Sequence, residues 1–225
     1  MRIVSGASLR PDASLPGMLM KRRARIAMLA VLLFPLVVTA LIGLSGRVAS
    51  AGGESEKNAV IERIVAYLKG KKADMREDRL KAVVHTVYDQ SQQHDLDYRL
   101  VLALIKVESN FRQDVVSQKG ARGLFQMKPS TARCIAKDAG VDWNGSQCLH
   151  EPDNNIKLGV YHLSKLVEDF KSVPTALHAY NVGSGRAKTA TFDDKGDART
   201  AFTRRVLKEY EKNLSVLPDA DELDK

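Results

Sequence analysis

The chain has 225 residues, 44% hydrophobic and 28% charged, enough apolar material for one ordinary domain with a sizeable core. The net charge of +8 is unevenly placed: residues 1–51 hold seven Lys/Arg against one Asp, so they carry +6 and everything after them only +2. A nearly balanced remainder excludes a case for nucleic-acid binding.

The basic excess belongs to "KRRARIAMLAVLLFPLVVTALIGLSGRVASAGG" (21–53). Four cations within Lys21–Arg25 precede an uncharged stretch, 26–46, and small residues follow. This is the layout of an export signal, with a cleavage site near Ala51 in Ala49-Ser50-Ala51. The apolar stretch is also long enough to span a bilayer of roughly 30 Å, so it could instead stay as an inner-membrane anchor with its cationic end in the cytoplasm. Either way, the remainder is expected outside the cytoplasm.

Downstream, apolar residues recur at helical spacing. "EKNAVIERIVAYLKG" (56–70) is amphipathic and ends at a glycine, and "REDRLKAVVHTVYDQSQQHD" (76–95) repeats the pattern. A helix over about 97–110 follows. Another is expected from Pro129, which suits a first turn, to Gly140. "EPDNNIKLGVYHLSKLVEDF" (151–170), a short helix behind Pro174 and "ARTAFTRRVLKEYEKNL" (198–214) complete the set. No run of alternating β-branched residues interrupts them, so the fold class is all-α. Residues 1–51 are read as extension plus signal or anchor, 52–78 as linker or accessory helix, 79–214 as the main domain and 215–225 as a charged flexible tail.

The two cysteines, Cys134 and Cys148, both fall in the exported part. In an oxidising compartment such a pair reads as one disulfide, worth roughly 3 kcal/mol for a loop of this size; the alternative is two independent buried thiols. The five histidines (85, 94, 150, 162, 178) show neither HExxH spacing nor clustering with the cysteines, so no metal site is expected.

The helix over 97–110 carries one residue at odds with its pattern. Val101, Leu104, Ile105 and Glu108 share one face. A carboxyl on an apolar stripe near a helix C-terminus is desolvated and faces the negative end of the dipole. Both effects favour its protonated form. It is either a working acid or half of a buried ion pair.

Two glycine-bearing stretches follow it, "SQKGARGLFQMKPSTA" (117–132) and "HAYNVGSGR" (178–186). Neither decides anything alone, and "GARG" lacks the spacing of a phosphate loop. In order, however, "ES" at Glu108-Ser109, "GLFQ" at Gly123–Gln126 and "AYN" at Ala179–Asn181 resemble the motifs of the soluble lytic transglycosylase family. The resemblance extends over roughly 80–212 through "ALIKVESNF", "PDNNIKLG" and "AYNVGSGR". Phe125 departs from the family's usual Met, and His162 from its frequent Tyr.

The resemblance implies a goose-type-lysozyme-like helical domain with a substrate cleft, acting on peptidoglycan glycan strands without a cofactor. It implies cleavage of the β-1,4 bond between N-acetylmuramic acid and N-acetylglucosamine, with formation of a 1,6-anhydromuramoyl product. Glu108 would be the single general acid and base. Tyr180 would hydrogen-bond the Glu108 carboxyl, Ser109 would position sugar near the scissile bond, and Gln126 and Asn181 would contact N-acetyl groups. Phe125 would line the cleft, and Gly123 would let backbone approach the glycan. A periplasmic location follows, released or anchored, and a place in an envelope-spanning secretion, conjugation or pilus machine is compatible with the chain. The competing readings are a hydrolytic muramidase of the same fold and a non-catalytic peptidoglycan-binding component.

Overall fold

The computed structural model describes residues 55–189 and 200–219. The expected signal or anchor, including 26–46, lies outside the described residues. Among the described residues no helix is long and apolar enough to cross a membrane.

The described chain is helical, as the periodicity requires. Helix α1 covers 55–70, α2 is Glu77–Gln93, α3 Tyr98–Ser109, α4 Pro129–Ile135, α5 Pro152–Phe170, α6 Val173–Val182, α7 Ser184–Thr189 and α8 Ala201–Leu214. The helix expected to reach Gly140 stops at Ile135, and a turn carries the chain on to Gly140, whose φ is +66°. A 3₁₀ turn, Ser146–His150, leads into α5. Gly183 (φ +96°) alone separates the end of α6 at Val182 from the start of α7 at Ser184.

Helix α3 is the axis of the core. Leu100 through Ile105 are all at most 3% exposed, so this helix is apolar all round and is surrounded by others. Each of its fully buried Leu or Ile side chains contributes about 1.5–3 kcal/mol relative to exposure. Its start is capped by Asp97, which accepts the Arg99 N–H at 2.8 Å. Its end is set by Asn110, whose left-handed φ of 54° cannot continue a helix. Helices α2 and α8 pack on α3, and α5 packs on α2 and α6. Helix α1 adds Val60, Ile61, Ile64, Val65 and Leu68 to the same core.

The C-terminal segment is tied to α3 by polar contacts. Asn213 Nδ2 donates to the Arg99 carbonyl oxygen at 2.9 Å, and Tyr67 donates to Asn213 Oδ1 at 3.1 Å. Residues 215–219 open the expected flexible tail, yet they are held: Tyr98 donates to the Pro218 carbonyl at 2.6 Å, and Leu217 is buried.

The disulfide expected between Cys134 and Cys148 is not formed. Both are free thiols, Cys134 exposed and Cys148 buried. Cys134 stands on the solvent side of α4, whose buried residue is Ala132, whereas Cys148 belongs to the core under the 3₁₀ turn. Burial pushes the Cys148 thiol up from its ordinary pKa.

Candidate active site

Glu108 sits in the last turn of α3, where the helix emerges from the core into a cleft of about 430 Å³. Burial raises its pKa from 4.5 to about 7, and the positive charge of Arg205 on α8 acts in the opposite direction. No salt bridge to Glu108 is present among the described residues, and Arg205 is the one charge acting on it, from beyond ion-pair distance. The alternative of a buried ion pair is therefore not what the fold builds. Among the described residues lining the cleft, Glu108 is the sole carboxyl.

The loop between α3 and α4 forms one wall. It is a chain of tight turns with two isolated antiparallel bridges, Val116 to Arg122 and Arg122 to Met127. The buried amide of Asn155, on α5, sets its shape. Asn155 Oδ1 accepts the Phe125 N–H at 2.8 Å, and its Nδ2 donates to the carbonyl oxygens of Leu149 (2.9 Å) and Arg122 (3.1 Å). A side chain that is 0% exposed thus bonds three backbone groups: the Phe125 N–H and the Leu149 carbonyl, both in buried bonds, and the Arg122 carbonyl, which also accepts the Met127 N–H.

This clamp changes the reasons for two of the expected site residues. Gly123 has φ +74°, and a Cβ there would fall 2.3 Å from Asn155 Nδ2 and 2.4 Å from the Leu149 carbonyl. The glycine is required by the approach of α5 and the 3₁₀ turn; it packs inward and does not face the cleft. Phe125 is also not a cleft residue. It is 0% exposed, with its ring against Gly159, where a Cβ would lie 2.2 Å from the ring. Its contribution to the site is its backbone carbonyl.

That carbonyl accepts the Tyr180 hydroxyl at 2.8 Å. The expected Tyr180 bond to the Glu108 carboxyl is not made, because the phenolic proton is already directed to Phe125, with Met127 Sδ 3.4 Å away. Tyr180 nevertheless lies beside Glu108. Burial first, and the Glu108 charge second, raise its pKa well above the ordinary phenol range. The His162 ring packs against it at 5.3 Å, and burial lowers the His162 pKa.

Gln126 lies in the cleft, as the sequence predicts, in a left-handed conformation with φ 48°. Its Nε2 donates to the carbonyl oxygens of Val115 (3.1 Å) and Gly123 (3.0 Å), so what it offers the cleft is the acceptor Oε1. Asn181 is exposed on the opposite wall. Ser109 is not in the cleft: it is 2% exposed, and its hydroxyl donates to the Ile105 carbonyl at 3.2 Å. The serine that the fold places there is Ser117, whose Oγ accepts the Ala121 N–H at 3.0 Å.

The fold and the site define a lysozyme-like helical domain with one desolvated acid in a polar groove. The chain belongs to the transglycosylase SLT domain family, whose domain model matches residues 86–202. It is 30% identical over 129 residues to the soluble lytic murein transglycosylase of Salmonella typhimurium, covering 56% of this chain and 20% of that protein. It is 32% identical over 153 residues to the membrane-bound lytic murein transglycosylase C of Haemophilus ducreyi, covering 63% of this chain and 41% of that one. The match therefore spans a fifth to two fifths of these relatives. In three dimensions the chain superposes on the 70 kDa soluble lytic transglycosylase SLT70 of Escherichia coli with a TM-score of 0.52 and 21% identity, over 62% of this chain and 25% of that one. An inactive mutant of the lytic transglycosylase Slt of Pseudomonas aeruginosa matches with a TM-score of 0.50 and 26% identity, over 60% and 25%.

Proposed function

We propose that this chain is an exported peptidoglycan lytic transglycosylase that breaks the β-1,4 bond between N-acetylmuramic acid and N-acetylglucosamine. The observation that carries the reading is that Glu108 is the one carboxyl lining the cleft among the described residues, with a pKa near 7. Ordinary glycosidases need two carboxyl groups. A reaction whose nucleophile belongs to the substrate needs one.

The protonated Glu108 donates its proton to the glycosidic oxygen as the C–O bond breaks, releasing the N-acetylglucosamine end with a free hydroxyl. The resulting carboxylate then takes the proton of the muramoyl 6-hydroxyl as that oxygen attacks its own anomeric carbon. The 1,6-anhydro ring closes, no water is consumed, and Glu108 ends protonated. A pKa near neutrality suits a group that must serve as acid and then as base in one turnover. The intramolecular attack benefits from an oxygen already held near the carbon it reaches.

Tyr180 acts as a positioning residue. With its own proton on Phe125, its oxygen can accept the proton end of the Glu108 carboxyl and so favour the donor form. Gln126 Oε1 is an acceptor suited to the N–H of an N-acetyl group, and Asn181 offers donor and acceptor from the facing wall. Ser117 takes the place at the cleft that the sequence assigned to Ser109. Residues 26–46 serve as the core of the export signal or as an inner-membrane anchor, which places the domain in the periplasm.

The test is mass spectrometry of the soluble products formed from purified peptidoglycan, with Glu108→Gln alongside. Muropeptides ending in 1,6-anhydromuramic acid, absent with the variant, are the expected result. Products heavier by one water would replace the reading with a hydrolytic muramidase.

A further inference from the structure

The cleft is lined by three cations, Lys119, Lys128 and Arg186, against the single acid Glu108. All three are exposed, and two of them stand on the loop wall. Lys119 and Lys128 have no anionic partner among the described residues, unlike lysines 57, 69, 71, 81, 165 and 212, which all pair with carboxylates. Nor do they act on Glu108, whose one acting charge is Arg205. At Lys119 and Lys128 the cleft therefore carries positive charge that has no carboxylate partner among the described residues and does not tune the acid.

We infer that Lys119 and Lys128, supported by Arg186, form a carboxylate-recognising rim that selects anionic glycan. The inference rests on the proposed peptidoglycan substrate. The sugar rings themselves are uncharged, so a cationic rim has nothing to recognise on them. Carboxylates reach the cleft from two sources, the peptides attached to the lactyl groups and the lactyl groups themselves where peptides have been removed. Exposed lysines are suited to such mobile anions, because a point charge on a flexible stem needs no fixed geometry. Each contact is weak and screened by salt, at a range of about 10 Å in 0.1 M salt.

The experiment is co-sedimentation of the full chain carrying Glu108→Gln, so that substrate is not consumed, with three insoluble glycans. These are native peptidoglycan, the same material with its carboxyls converted to amides by carbodiimide and ammonium, and amidase-treated glycan that keeps only lactyl carboxylates. Native material should bind about tenfold more tightly than the amidated form at low salt, with the ratio falling towards one at 0.5 M salt. Adding Lys119→Gln and Lys128→Gln should reduce the ratio to near one, and Lys→Arg at both positions should restore it. Retention on the amidase-treated glycan assigns the recognised anion to the lactyl group, and loss assigns it to the peptide. Equal binding of native and amidated material overturns the rim. The proposed activity is read separately, from the anhydro products of the unsubstituted chain, so either can fail alone.

Discussion

Phe125 and Asn155 lie 30 residues apart in sequence, yet the Phe125 N–H donates to Asn155 Oδ1 at 2.8 Å in the buried interior. The carbonyl of the same residue, in the next peptide unit, receives the Tyr180 hydroxyl at 2.8 Å. Through one amide and one phenol, α5 and α6 are both fastened to the loop that walls the cleft. The loop wall of the cleft is therefore held in place from two helices at once.

Asn155→Ala should be among the most damaging substitutions outside the cleft. It leaves the Phe125 N–H and the Leu149 carbonyl buried without this partner and the Arg122 carbonyl with the Met127 N–H alone, a loss of about 2–4 kcal/mol. Gly159→Ala should also destabilise, by about 1–3 kcal/mol, since its methyl would meet the Phe125 ring. Denaturant unfolding measures both. A fall below 0.5 kcal/mol in either would contradict the clamp.

The pH profile of kcat/KM should carry an alkaline limb with its midpoint near 7, set by the Glu108 carboxyl. Roughly nine-tenths of the enzyme would hold the required proton at pH 6 and roughly one-tenth at pH 8. Arg205 favours the carboxylate, so Arg205→Gln should move the limb to higher pH. Assays of soluble product release between pH 5 and 9 decide this, and an unmoved limb would remove Arg205 from the electrostatics of the site.

Stability should fall in the same direction. In the unfolded chain Glu108 loses its proton near 4.5, in the folded chain near 7, so between these values the folded state holds more protons. Raising the pH through this window therefore weakens the fold, by an amount of order 3 kcal/mol when complete. Glu108→Gln, which cannot ionise, should match the parent Tm at pH 4.5 and exceed it at pH 8. The difference between the two proteins cancels the opposite trend from His162, whose depressed pKa makes its contribution fade as pH falls. Parallel Tm curves across the window would contradict the buried-acid assignment.

Thiol chemistry checks the cysteines. In the folded protein a thiol reagent should titrate the exposed Cys134 at once and reach the buried Cys148 only in denaturant. A reductant should leave Tm unchanged. No reactive thiol in denaturant without reductant would mean that the two pair in the exported protein.

Local sequence determined the helices and the acid. The 3.6-residue recurrence of apolar side chains marks α1, α2, α5 and α8 to within a few residues, because each buries one face whatever it packs against, and the continuous apolar run of Leu100–Ile105 marks α3. The same spacing put Glu108 on a buried stripe, and its raised pKa follows from that position. Tertiary structure decided which polar groups reach the cleft. Ser109 is adjacent to Glu108 in sequence but turns back onto Ile105, whereas Ser117 arrives from a loop whose path depends on Asn155. Phe125 and Gly123 belong to a motif that reads as cleft wall, but α5 approaches from 30 residues away and claims both for packing. The Tyr180 proton went to a carbonyl instead of the acid for the same reason. Burial along a helix is periodic and so legible in order, whereas the direction of a loop side chain depends on partners distant in sequence that no local pattern encodes.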